Sequence, residues 1–180
     1  VSGKYSDPDD YAKGTTIIIG SEETDEIHGN GRTDIIYGGK GTDKLYGESG
    51  NDELHGDTGN DELYGGNGDD TYVFNLGDGN DVIDEKRNIG KDKVVFGEGI
   101  KAEDVKVTRD GNDMVLVVGS EGDTLRITSQ YTDSYSQIES FEFADGTVKT
   151  SGDYFNSTLT MKVSGKYSDP DDYAKGTTII

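Results

Sequence analysis

Large apolar and acidic positions recur along this chain with a period of nine. From Gly20 the sequence can be written GSEETDEIH (20–28), GNGRTDIIY (29–37), GGKGTDKLY (38–46), GESGNDELH (47–55), GDTGNDELY (56–64) and GGNGDDTYV (65–73). All six units have Gly first, Asp sixth and a large apolar residue eighth, and a degenerate seventh, LGDGNDVID (76–84), follows a short insertion. Positions 1–6 are rich in turn residues and predict a bend, while positions 7–9 predict a short strand. Side chains alternate along a strand, so position 8 points inward and positions 7 and 9 point out. The predicted inward column is Ile27, Ile36, Leu45, Leu54, Leu63 and Tyr72. If two such units make one coil, unit n stacks on unit n+2. Glu26, Lys44 and Glu62 then form one outer column, and His28, Tyr46 and Tyr64 another. Opposite charges and aromatic neighbours in register each contribute roughly 0.2–1 kcal/mol.

From Lys93 the period changes to that of ordinary strands. Residues 93–97, 104–110, 114–119, 124–129, 138–144 and 147–150 are β-rich. Hairpin-type turns separate them at Asp110-Gly111-Asn112, Glu121-Gly122-Asp123 and Asp145-Gly146. A short helix is expected to start at Thr150 or Ser151 and run through Tyr154 and Phe155. Val94, Phe96, Val105, Val107, Leu116, Leu125, Ile127, Phe141 and Phe143 are the expected core. Such a β-rich segment would cover the open end of a stack of coils, where unpaired strand edges invite aggregation.

A longer repeat overlies the short one. Residues 163–180 reproduce residues 1–18 without a change. The chain therefore reads as one 162-residue unit and the opening of the next, a tandem array being favoured over a merely duplicated end. The expected organisation is a linker and first strand (1–19), a coil region (20–84), a β-rich cap (85–162) and the start of the next unit (163–180). The linker KYSDPDDYAKG (4–14, repeated at 166–176) reads as a solvated acidic loop, with a metal at Asp7, Asp9 and Asp10 as the minor alternative.

Charge narrows the function classes. The net charge is −20, and residues 20–84 hold 17 acidic side chains against Arg32, Lys40 and Lys44. Nucleic acid is a poor partner for such a chain, as is an anionic membrane. No apolar run is long enough to insert into a bilayer. An acidic, Gly-rich segment normally reads as disorder, unless a cation holds it. There is no Cys, no His-rich metal motif and no G-x-S-x-G elbow, so no enzyme is expected. His28 and His55 fall at position 9 on opposite faces, as surface residues. Position 3 runs Glu22, Gly31, Lys40, Ser49, Thr58, Asn67, which leaves no Thr ladder of the ice-binding kind. Three basic residues are too few to bind an acidic polysaccharide.

The nonapeptides resemble the RTX consensus G-G-x-G-x-D-x-U-x, with U large and apolar, a known calcium-binding pattern. That resemblance implies an all-β fold, a right-handed parallel β-roll continued by the β-rich cap. It also implies calcium between stacked turns. The earlier turn would supply carbonyls from positions 2 and 4, the later turn from positions 1 and 3, and both their Asp. The paired aspartates would be Asp25/Asp43, Asp34/Asp52, Asp43/Asp61, Asp52/Asp70 and Asp61/Asp81, holding four or five ions. Carbonyls of Gly39, Gly41, Gly56 and Thr58 would join Asp43/Asp61. Those of Glu48, Gly50, Gly65 and Asn67 would join Asp52/Asp70, and those of Asn30, Arg32, Gly47 and Ser49 would join Asp34/Asp52. Glu23 and Arg32 stand where the consensus has Gly, so the first rungs are expected to bind weakly or not at all. Calcium suits such sites because it takes six to eight oxygens, whereas magnesium prefers a tight octahedron. A thin core and crowded carboxylates imply a roll that is unfolded without cations.

Residues 94–100, 103–105, 111–113 and 141–147 are similar to the haemolysin-type calcium-binding related domain that follows such repeats. The implied setting is a secreted or cell-surface protein, from a Gram-negative bacterium. The module would be a calcium-stiffened unit of an adhesin or stalk, with neighbouring copies as partners. Alternatively it serves folding and passage through a type I secretion apparatus for a toxin or hydrolase.

Overall fold

The computed structural model describes residues 14–85, 90–120, 122–132 and 137–156. Nine strands build the coiled part: β1 (Thr16–Ile19), β2 (Glu26–His28), β3 (Asp34–Gly41), β4 (Lys44–Ser49), β5 (Glu53–Gly59), β6 (Glu62–Asn67), β7 (Thr71–Phe74), β8 (Asn80–Ile83) and β9 (Asp92–Phe96). Odd strands pair in parallel in one sheet and even strands in the other, so each unit crosses from sheet to sheet. The pairing is n on n+2, as in Ile36 opposite Leu54 and Leu45 opposite Leu63. The fold is an all-β parallel solenoid.

Apart from β2, the strands of the repeats are longer than the three residues that the spacing predicts. β3 and β5 continue through the bend, with Gly39 opposite Asp57, Lys40 opposite Thr58 and Gly41 opposite Gly59. Stacked bends have the same shape, so their backbones pair as readily as the straight segments do. Glycine makes this closeness possible. A Cβ on Gly41 would meet the Glu23 carbonyl carbon and oxygen at 2.8 Å, and Gly41 itself has φ +133°.

β10 (Lys106–Asp110), β11 (Asp113–Val118) and β12 (Asp123–Ile127) form an antiparallel meander, and β13 (Ile138–Glu142) pairs antiparallel with β14 (Val148–Lys149). The helix α1 (Ser151–Asn156) follows. The meander does not stand apart from the coil. β12 pairs in parallel with β8, and β13 pairs in parallel with β9, so both sheets run on without a break.

All six predicted inward side chains are buried, and so are the expected core residues beyond them except Val107, which is half-buried. Phe74, Ile83, Ile100, Met114, Val118 and Ile138 complete one continuous core. Most of its large side chains beyond Tyr72 come from the second half of the chain. The outer columns also form. Lys44 Nζ lies 2.8 Å from Glu62, and the rings of His28, Tyr46 and Tyr64 stack at 4.4 and 4.6 Å. On the opposite face Tyr37 stacks on His55 at 4.3 Å. The linker with Asp7, Asp9 and Asp10 lies outside the described residues.

Candidate metal centre

The position-6 aspartates face inward at the bends and are buried. Stacking arranges them in two ladders. In one, the backbone N–H of Asp25 donates to Asp43 Oδ1, Asp43 to Asp61 and Asp61 to Asp81, at 2.8, 2.8 and 3.0 Å. In the other, Asp34 donates to Asp52, Asp52 to Asp70 and Asp70 to Asp92, each at 2.8 Å. The structure thus brings together all five of the expected pairs. It adds Asp92, which the sequence reading missed. Its signal was legible: residues 87–95, RNIGKDKVV, have Gly fourth, Asp sixth and an apolar residue eighth. A two-residue offset hid this eighth unit.

One oxygen of each carboxylate is thereby satisfied. The other oxygens separate the rungs into two kinds. In the first two units the bend closes on its own Asp: Ser21 N–H donates to Asp25 Oδ2 at 2.6 Å, and Asn30 N–H to Asp34 Oδ2 at 2.7 Å. In the next four units Oδ2 of Asp43, Asp52, Asp61 and Asp70 is buried with no hydrogen-bond partner. The difference lies at position 2. Gly39, Glu48, Asp57 and Gly66 all have positive φ, at 105°, 77°, 61° and 99°. Ser21 and Asn30 do not, and their N–H groups face the carboxylate. These are also the units in which Glu23 and Arg32 replace the Gly at position 4.

Each orphaned oxygen faces a cradle that a side chain would fill. A Cβ on Gly38 would lie 2.7 Å from Asp43 Oδ2 and 2.6 Å from the Gly56 carbonyl. A Cβ on Gly47 would lie 2.5 Å from both Asp52 Oδ2 and the Gly65 carbonyl. The position-1 carbonyl of the later turn thus sits beside the Asp of the earlier one. Other expected ligand carbonyls, those of Asn30 and Asn67, accept N–H groups of Ser49 and Gly50 at 3.3 and 2.8 Å. A carbonyl has two lone pairs, so such a bond leaves one for a cation. Ser49, Thr58, Arg32, Gly39, Gly41 and Gly50 lie in the same stacked bends.

Burial raises the carboxyl pKa values, and neighbouring carboxylates raise them further. Asp52 and Asp61 are pushed up to about 7, Asp70 to about 6, Asp81 to about 8 and Asp92 to about 7. Asp43 is raised as well, by burial first. Lys40 and Lys44 are committed outside, to Glu22 and Glu62. Buried, unpaired, acceptor-only oxygens surrounded by carbonyls are what a hard cation requires. The donor set fits calcium.

Comparison with known families agrees. Residues 19–54 and 46–83 match the RTX calcium-binding nonapeptide repeat, and residues 113–151 match the haemolysin-type calcium binding protein related domain. Among curated proteins none matches. One solved structure aligns with 26% identity over 93% of this chain and 98% of its own, at a TM-score of 0.42. It is the solution structure of the AlgE6R3 subunit from the Azotobacter vinelandii mannuronan C5-epimerase.

Proposed function

We propose, from the premise that this is an RTX-type calcium-binding repeat protein, that the module is a non-catalytic structural unit. Calcium ions sit between stacked bends at Asp43/Asp61, Asp52/Asp70 and Asp61/Asp81, with the earlier pairs weaker because their carboxylates are closed by Ser21 and Asn30. The single observation that carries this reading is the row of four buried, unpartnered Oδ2 atoms. Each is a desolvated charge that only a cation or a proton can neutralise. The chain then holds its own residues poised: Gly keeps the cradle open, and the ladder N–H bonds orient each carboxylate.

The 18-residue identity between the two ends favours a tandem array, a calcium-stiffened stalk of an extracellular protein. The same calcium requirement would let a chain cross a type I secretion channel unfolded in a low-calcium cytosol.

Far-UV circular dichroism during calcium titration tests the reading. A cooperative coil-to-β change is expected at roughly 0.1–1 mM calcium, the range of extracellular modules, with magnesium failing to reproduce it. A full β spectrum in EDTA above about pH 8 would contradict it.

A further inference from the structure

We propose that Asp70, Glu85 and Asp92 form a separate calcium-type cation site that locks the last coil of the roll to the strands after it. The proposal rests on the calcium reading of the ladders and adds to it a site of different composition. One carboxylate oxygen from each of the three residues lies within 4.8 Å of the others, and all three side chains are buried. Glu85 belongs to no position-6 column. It is 1% exposed, at the point where the chain leaves the second sheet after β8.

An independent feature points to a ligand here. Asp70 Oδ2 is fully buried and unpartnered. In the preceding turns the corresponding oxygen faces the first carbonyl of the unit two further on, Gly56 beside Asp43 and Gly65 beside Asp52. The space beside Gly65 is bordered by Asp70 Oδ2 and, 2.5 Å from the Cβ position, by the Tyr72 hydroxyl. Tyr72 accepts the Gly65 N–H at 2.7 Å and donates its own proton to Glu85 Oε1. Tyr72 and Glu85 therefore line the space beside the Asp70 carboxylate.

A third carboxylate changes the chemistry. Three anionic ligands attract a hard cation more strongly than two with neutral carbonyls, and they repel each other more when it is absent. The site also spans parts of the fold that no other predicted site joins. Asp70 precedes β7, Glu85 follows β8, and Asp92 opens β9, whose N–H is held by Glu139 Oε2 at 2.7 Å. Filling it fixes the chain on both sides of residues 86–89 and so seats β9 and β13 on the roll.

Native mass spectrometry of the whole chain in calcium tests this. Glu85→Gln is expected to carry one ion fewer than wild type, with the β spectrum retained at saturating calcium. Tyr72→Phe, which keeps the ring in the core but releases Glu85, is expected to raise the calcium concentration for the last ion about tenfold. An unchanged ion count in Glu85→Gln overturns the proposal. Should that variant not fold, anomalous scattering from terbium in wild-type crystals decides: a peak among Asp70, Glu85 and Asp92 supports it, and peaks confined to the earlier turns overturn it. A wild-type chain that binds no calcium would instead overturn the ladder reading.

Discussion

A buried aspartate that lacks a cation partner should behave as a proton sink. The folded-state pKa values of Asp52, Asp61 and Asp92 rise from 3.8 to about 7, and that of Asp81 to about 8, with burial the main cause. For a carboxyl raised on folding, the native state holds more protons than the unfolded chain, so stability falls as pH rises. The metal-free roll should therefore be most ordered near pH 4 and lose β structure progressively up to about pH 7–8. Circular dichroism in EDTA across that range checks it; order that increases with pH would contradict the assignment. With calcium present the direction reverses, because protons compete for the same oxygens.

Single substitutions separate ligand from scaffold. Asp61→Asn should raise the calcium midpoint by at least about tenfold, since Asp61 belongs to two pairs, while Asp25→Asn should change it much less. Gly47→Ala would place a methyl 2.5 Å from Asp52 Oδ2 and the Gly65 carbonyl, and should cost about 1–3 kcal/mol in calcium. Asp57→Gly should act oppositely. Asp57 adopts φ 61°, where glycine rests without strain, and its charge adds to the crowding at Asp43 and Asp61. A gain of about 1 kcal/mol is expected in chemical denaturation.

Among the elements, the β-ladders were legible because the unit is short and in phase. Gly first, Asp sixth and apolar eighth fix the inward column, the outer ring stacks and the n to n+2 pairing. Two things escaped. The strands run through the bends, because stacking identical bends creates backbone pairing that local propensity does not encode. The eighth unit at 87–95 was read as an ordinary strand from Lys93, since insertions at 74–75 and 85–86 break the frame. Glu85 escaped for a related reason: a lone carboxylate outside the repeat has no column to mark it. At this scale the His28–Tyr46–Tyr64 stack should contribute measurably, and Tyr46→Ala should destabilise the calcium-bound fold by about 0.5–1.5 kcal/mol. Thermal unfolding in saturating calcium reads it.

Across the whole molecule, the two halves are stabilised differently although their sheets are continuous. The roll contributes one inward apolar side chain per nine residues and carries most of the negative charge. The later strands pack Phe96, Met114, Leu116, Leu125, Phe141 and Phe143 together, with Phe96 stacked on Phe143 at 4.8 Å. Their order is expected to depend on the hydrophobic effect more than on metal. At the other end, β1 is the edge strand of its sheet among the described residues, with Ile17 and Ile19 exposed there. The later strands would then serve as the apolar anchor from which the coils extend.

Amide hydrogen exchange with segment resolution, in calcium and in EDTA, tests this account most directly. Residues 38–85 should be protected only in calcium, whereas residues 113–132 should keep much of their protection in EDTA. Equal protection of the coils in both conditions would show that the orphaned aspartates need no cation, and would contradict the calcium-dependent fold.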